Sequence, residues 1–144
     1  MKFWDSSALL PLFVEEEYSA ELTKVAKEDQ SIVVWWSASV ECRSAFARLH
    51  RENLLTSAQE DRVIELLATL AGIWSEIMPS ENVRRAAYRL LMLHPLRAAD
   101  ALRLAAAMIW ASSAPSDSDF VCLDRRLNEA AKKEGFRIRM QLSE

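Results

Sequence analysis

Two hydrophobic patterns alternate along the chain: short unbroken apolar runs, and longer stretches with apolar residues three and four apart. Lys2-Phe3-Trp4 reads as a short strand that stops at Asp5-Ser6-Ser7, residues suited to capping a helix. A short helix is predicted around 8–14 and another around 18–28. The run IVVWW at 32–36 is β-branched and aromatic throughout, the composition of a strand buried on both faces. Ser37 or Ser39 caps a helix running to about Arg51, Ser57 starts one near 58–71, and Ser80 caps one across 81–93. His94-Pro95 interrupts the helical pattern there. A further helix covers 98–111, and 112–118 is a loop rich in Ser, Asp and Pro. A strand at 120–123, a helix at 125–134 ended by Gly135, and a strand at 136–140 complete the series, with a weak extra strand near 74–78. Strands alternating with helices imply an α/β fold: a mainly parallel sheet of four to five strands, covered by helices on both faces.

At 144 residues the chain is one domain's worth, enough to bury a core without disulfides or a structural metal, so 1–144 reads as a single domain. Only Gly72 and Gly135 occur as glycines, which excludes phosphate-binding loops and dinucleotide fingerprints. Cys42 and Cys122 match no zinc spacing and no CxxC pattern, and each sits in an apolar stretch. Both read as reduced core thiols of a cytoplasmic protein. One lysine followed by Asp5 leaves no apolar signal core at the start. The longest uncharged apolar stretch, after Arg103, falls far short of the roughly 20 residues a membrane span needs. The net charge of -3 hides an asymmetry: residues 1–82 carry 7 Lys/Arg against 14 Asp/Glu, and residues 83–144 carry 11 against 7. A basic face behind a modest overall charge is one reading, uneven solvated charge the other.

Among 21 acidic residues, four stand where simple solvation is hard to arrange. Asp5 and Asp124 each follow a strand and precede a helix, so each serves either as a helix cap or as a ligand at the carboxyl edge of the sheet. Glu41 shares a helical face with Ala38, Cys42, Ala45 and Leu49, an apolar stripe that places a carboxylate at the core margin. Asp100 opens a similar stripe with Leu104, Ala107, Met108 and Ala111, in a first turn where the helix dipole favours negative charge. If the fold collects these four, they repel one another unless a cation sits among them. Oxygen donors without His or Cys then point to Mg²⁺ or Mn²⁺ rather than zinc.

These residues carry a resemblance. The opening FWDSSALLPLF, the segment IVVWWSASVECRSAFARL, LRAADALRLAAAM and FVCLDRRLNEAAKKEGFRI together resemble the PIN-domain family, in its VapC-type ribonuclease toxins. The likeness runs in order over nearly the whole chain. It implies a PIN-like three-layer α/β/α sandwich and a Mg²⁺-dependent endoribonuclease, with Mn²⁺ able to substitute. Asp5, Glu41 and Asp100 are then the metal ligands and catalytic acids, with Asp124 direct or through water. Ser6 or Ser7 holds Asp5 or the water in place, and Arg97 and Arg103 contact substrate phosphates. An alternative for both arginines is pairing with Asp100 or a surface acid. Arg43, Arg125 and Arg126 are possible backbone contacts for RNA. The resemblance also implies a homodimer and a VapB-like antitoxin partner, with Leu9, Leu10, Leu12 and Phe13 open to docking or to plain core packing. Three departures stand out: Cys122 in place of a frequent Thr or Ser, Arg103 in place of a frequent His, and the Trp35-Trp36 pair, for which sheet-core packing is the default.

Rival readings are a non-catalytic PIN-fold module that binds RNA or protein, a PIN nuclease outside a toxin–antitoxin pair, and a DNA-directed nuclease of the wider superfamily. A phosphoacceptor signalling domain is disfavoured, because Ser6-Ser7 follow Asp5 and no lysine follows a late strand in the required place.

Overall fold

The computed structural model describes residues 1–112 and 114–143; Ser113, part of the loop expected at 112–118, lies outside the described residues. Five strands, β1 (Lys2–Trp4), β2 (Ile32–Trp35), β3 (Ser75–Ile77), β4 (Asp119–Val121) and β5 (Arg137–Ile138), form one sheet in the order β3-β2-β1-β4-β5. Every pairing is parallel, with Phe3 opposite both Val33 and Phe120. All carboxyl ends therefore lie along one edge.

Period-two alternation divides the core into two layers. Phe3, Val33, Trp35 and Phe120 point to one face, where α5 (Glu81–Leu93), α6 (Ala98–Ala111) and α7 (Arg125–Lys133) cover them. Trp4, Ile32, Val34 and Val121 point to the other, under α1 (Ser6–Leu9), α2 (Ser19–Glu28), α3 (Ala38–Arg51) and α4 (Ser57–Ala71). The expected three-layer α/β/α sandwich is what forms. Phe3 stacks on Phe120 with ring centroids 5.8 Å apart, across the β1–β4 pair. The fully buried run Ala105-Ala106-Ala107 lets α6 lie close to the sheet, and truncating its neighbour Leu104 to Ala would cost roughly 2–5 kcal/mol. Leu9 is fully buried, and Leu10, Leu12 and Phe13 pack on the second layer, so core packing accounts for that N-terminal apolar cluster.

Several boundaries differ from the sequence expectation, each for a local reason. The first helix begins at Ser6, because the Asp5 carboxylate accepts the Ser7 N–H at 3.1 Å. It then tightens into a 3-10 turn at Leu10–Leu12, where Pro11 lacks the N–H an α-helix would use. Thr56, not Ser57, caps α4: its hydroxyl accepts the Gln59 N–H at 3.1 Å and the Gln59 side chain accepts the Thr56 N–H at 2.8 Å. Cys122 and Leu123 leave the β4 ladder to reach the cap at Asp124, and β5 is a two-residue edge rather than a strand over 136–140. A short 3-10 turn, Pro115–Asp117, interrupts the expected loop. Trp35 is buried as expected, whereas Trp36 is half-exposed. Gly135 ends the α7 segment at φ 107°, a conformation that suits glycine.

Candidate functional site

Asp5 is the first residue past the central strand, its N–H donating to the Val121 carbonyl at 2.9 Å. That bond turns its side chain beneath the sheet edge, where it is 97% buried, being 3% exposed. Its Oδ2 accepts the Ser7 N–H, and its Oδ1 has no hydrogen-bond partner. Glu41 stands one turn into α3, placed by the β2–α3 turn. Ser6 Oγ donates to its Oε1 at 3.0 Å and Ser37 Oγ to its Oε2 at 2.6 Å. Asp100 lies in the first turn of α6, where it accepts weakly from the Arg97 N–H at 3.4 Å.

These three carboxylates meet at one point, and the group at that point is Arg103. Its Nη1 donates to Asp100 Oδ1 at 3.0 Å, its Nε faces Asp5 Oδ1 at 3.5 Å, and its Nη2 pairs with Glu41 Oε1. The guanidinium is a shared counter-ion for acids drawn from three distant segments. Asp124 does not join them: it is exposed and caps α7 by accepting the Leu127 N–H at 3.0 Å. It shares with Asp100 and Arg103 a hollow of about 550 Å³, rimmed also by Arg97, Arg125 and Arg126. A second hollow, about 480 Å³, lies on the α3 side between Ser6, Glu41, Arg48, Arg51 and Arg103. Arg103 thus separates two basic depressions. Exposed Arg43 lines neither.

Three carboxylates against one guanidinium leave the centre two charges short of neutral. Burial pushes the Asp5 carboxyl above its usual range, and the nearby Arg103 does not fully offset it. Burial works against the charge on Arg103 as well, yet Asp5, Glu41 and Asp100 outweigh it and hold the guanidinium firmly protonated. Cys122 packs behind Asp5, its Sγ 3.7 Å from Oδ2, and receives the Asp124 N–H at 3.2 Å. Burial and the Asp5 charge push its thiol well above the ordinary value. Cys42, buried beside Glu41 on α3, is pushed up to about 12, chiefly by burial.

The donor set fits a hard divalent cation: it is all oxygen, and the buried Asp5 Oδ1 faces the shared point without a hydrogen bond. As the side chains are arranged around Arg103, no three acidic, imidazole or thiol groups among the described residues are grouped tightly enough to share one metal ion.

The expectation is that Ser6 or Ser7 holds Asp5 or a water in place, and of the two it is Ser7 that contacts Asp5. The Ser6 hydroxyl orients Glu41, whereas Ser7 serves Asp5 through its backbone N–H and accepts the Leu123 N–H at 3.0 Å with its hydroxyl. Sequence reasoning missed Ser37 as a partner of Glu41, although its position four residues earlier on one helical face carried the signal.

A five-stranded parallel α/β/α sandwich with an acidic centre at its carboxyl edge is therefore the class this chain defines. No family model matches the sequence, and no curated protein matches it. Among solved structures the chain is similar to a chain of a toxin-antitoxin complex from Klebsiella pneumoniae, at 17% identity, over 99% of this chain and 100% of that one, with a TM-score of 0.68. At that identity the likeness is one of fold. Among the described residues, no helix is long and apolar enough to cross a membrane.

Proposed function

We propose that this chain is the toxin of a toxin–antitoxin pair and acts as a Mg²⁺-dependent endoribonuclease of the VapC kind, in the PIN-domain family. The observation that carries this reading is the convergence of Asp5, Glu41 and Asp100, far apart in sequence, on one partly buried point at the carboxyl edge of the sheet. A fold with no substrate chemistry gains nothing by gathering like charges there. The end-to-end fold likeness to a chain from a toxin–antitoxin complex supports the toxin role.

In this mechanism Asp5, Glu41 and Asp100 hold the cation, and Asp124 contributes directly or through water. A bound Mg²⁺ supplies Lewis acidity, easing loss of a proton from water and offsetting charge on the phosphate. Ser6 and Ser37 fix the rotamer of Glu41, and the Ser7 N–H fixes Asp5. Arg97 and Arg103 bind substrate phosphates, a task suited to the guanidinium fork. A VapB-like antitoxin and a second copy of the chain are the expected protein partners, in the cytoplasm.

The test is incubation of purified, antitoxin-free protein with single-stranded and structured RNAs, with Mg²⁺ and with EDTA, alongside Asp100→Asn. Mg²⁺-dependent cleavage that EDTA and the substitution abolish is the expected result. Cleavage that survives EDTA, or is undiminished in Asp100→Asn, refutes the mechanism. RNA binding without cleavage under any condition favours the non-catalytic module.

A further inference from the structure

The positive charge at the acidic centre comes from the chain itself, and it satisfies that centre incompletely. Arg103 Nε and Asp5 Oδ1 face each other at 3.5 Å, both buried, and neither makes a hydrogen bond. The guanidinium offsets charge there but leaves the most buried acceptor of the cluster unmet. A guanidinium and a divalent cation cannot share this point, since both are positive and both need the same oxygens of Asp5, Glu41 and Asp100.

Resting on the metal-dependent reading above, we propose that Arg103 is a built-in competitor of the divalent cation, and that cation binding moves its guanidinium into the hollow between α6 and α7. The side chain already borders that hollow, which has room at about 550 Å³ and holds the exposed carboxylate of Asp124. The hollow on the α3 side is the poorer destination, because its one acid is Glu41, which the cation itself engages, whereas Asp124 stands outside the cluster of three. Once moved, Arg103 stands beside Arg97 and Arg126, facing the phosphates of a bound strand. The same residue is thus a placeholder before the cation arrives and a substrate contact afterwards. Cation affinity is then set by the fraction of molecules with the arginine withdrawn.

Calorimetric titration with Mn²⁺ and melting with and without Mn²⁺ test this on the full chain, comparing wild type, Arg103→Gln and the remote surface control Arg85→Gln. Arg103→Gln should melt lower without metal, gain more from Mn²⁺, and bind it on the order of tenfold more tightly. Arg85→Gln should match wild type. In the unaltered protein, the Arg103 Nε–H resonance, identified by its loss in Arg103→Lys, should shift when Mg²⁺ is added. Equal or weaker Mn²⁺ binding by Arg103→Gln, or an Nε–H signal unmoved at saturating Mg²⁺, overturns the proposal and leaves the nuclease reading standing. Absence of Mn²⁺ binding in every variant overturns both. Failure to cut RNA alone leaves the competition intact.

Discussion

The Ser7 hydroxyl accepts the backbone N–H of Leu123 at 3.0 Å, across 116 residues of sequence. The bond ties the turn after β1 to the turn after β4, and so fixes the two strand ends that carry Asp5 and Asp124. Ser7→Ala leaves a partly buried N–H without a partner and should lower stability by about 1–3 kcal/mol, read as a lower urea midpoint with unchanged slope. Ser7→Thr retains the oxygen and should recover most of the loss. Equal midpoints for Ser7→Ala and wild type would remove this bond from the account of the site.

Glu41 receives two hydroxyls, and the one from Ser37 is the shorter at 2.6 Å. If Glu41 holds the cation, Ser37→Ala should weaken Mn²⁺ binding by about tenfold, because a side chain freed to rotate must be reordered on binding. Its thermal stability should fall by no more than about 1 kcal/mol, since Glu41 is partly exposed and water replaces the donor. Titration calorimetry beside a melting curve separates the two effects.

Both thiols are buried and shifted away from the thiolate, Cys42 to about 12 and Cys122 well above its ordinary value. The native protein should react with neither equivalent of a disulfide reagent at neutral pH, and with both in urea. Fast labelling of one thiol without denaturant would contradict this packing.

Away from the site, Glu134 joins the end of α7 to α5 and the turn after it, accepting from Arg89 Nη1 at 2.9 Å and from His94 Nε2 at 2.6 Å. Burial alone would raise its carboxyl, but the bonds from His94 and Arg89 outweigh it and hold it below the usual range. A carboxyl lowered by folding stabilises fully above its unfolded pKa, about 4.3, and loses that contribution as pH falls through the folded value. Glu134→Gln should therefore cost roughly 1.5–3 kcal/mol at pH 7, and the gap to wild type should close as the medium is acidified below about 4. Urea midpoints of both proteins across that range provide the check.

Arg97 and Arg126 rim the larger hollow and make no ion pair among the described residues. If they neutralise RNA phosphates, each change to Gln should reduce the slope of log affinity against log salt by about 0.7 for a single strand. Fluorescence anisotropy in Ca²⁺, over a salt series, measures that slope. An unchanged slope would place the strand elsewhere.

Elements with two concordant signals were legible from the amino acids alone. Ser80 before a helical period predicts 81–93, which is the span of α5, and the apolar run at 98–111 matches α6. Edges were not. β3 has two exposed residues and one half-buried, so little hydrophobic pattern marks it, and β5 keeps only two residues in the ladder. Asp5, Glu41 and Asp100 stood out because each puts a carboxylate where apolar neighbours or a strand end make solvation costly. Asp124 gave the same signal yet caps its helix in the open. Arg103 was visible as a phosphate contact that the resemblance implies, or as a partner of Asp100 three residues earlier. Its ion pairs with Asp5 and Glu41 depend on two crossovers of the chain, which no local spacing encodes.

The strand at the middle of the sheet comes first in the chain, while its neighbour β4 begins at residue 119. A ribosome adding 5–20 residues per second leaves one flank of β1 without its partner for on the order of ten seconds. Synthesis also delivers the carboxylates of Asp5 and Glu41 well before the guanidinium of Arg103. The nascent chain therefore carries unneutralised acids until Arg103 is made and an open sheet edge until β4 is made, so the acidic centre cannot assemble from the first hundred residues alone.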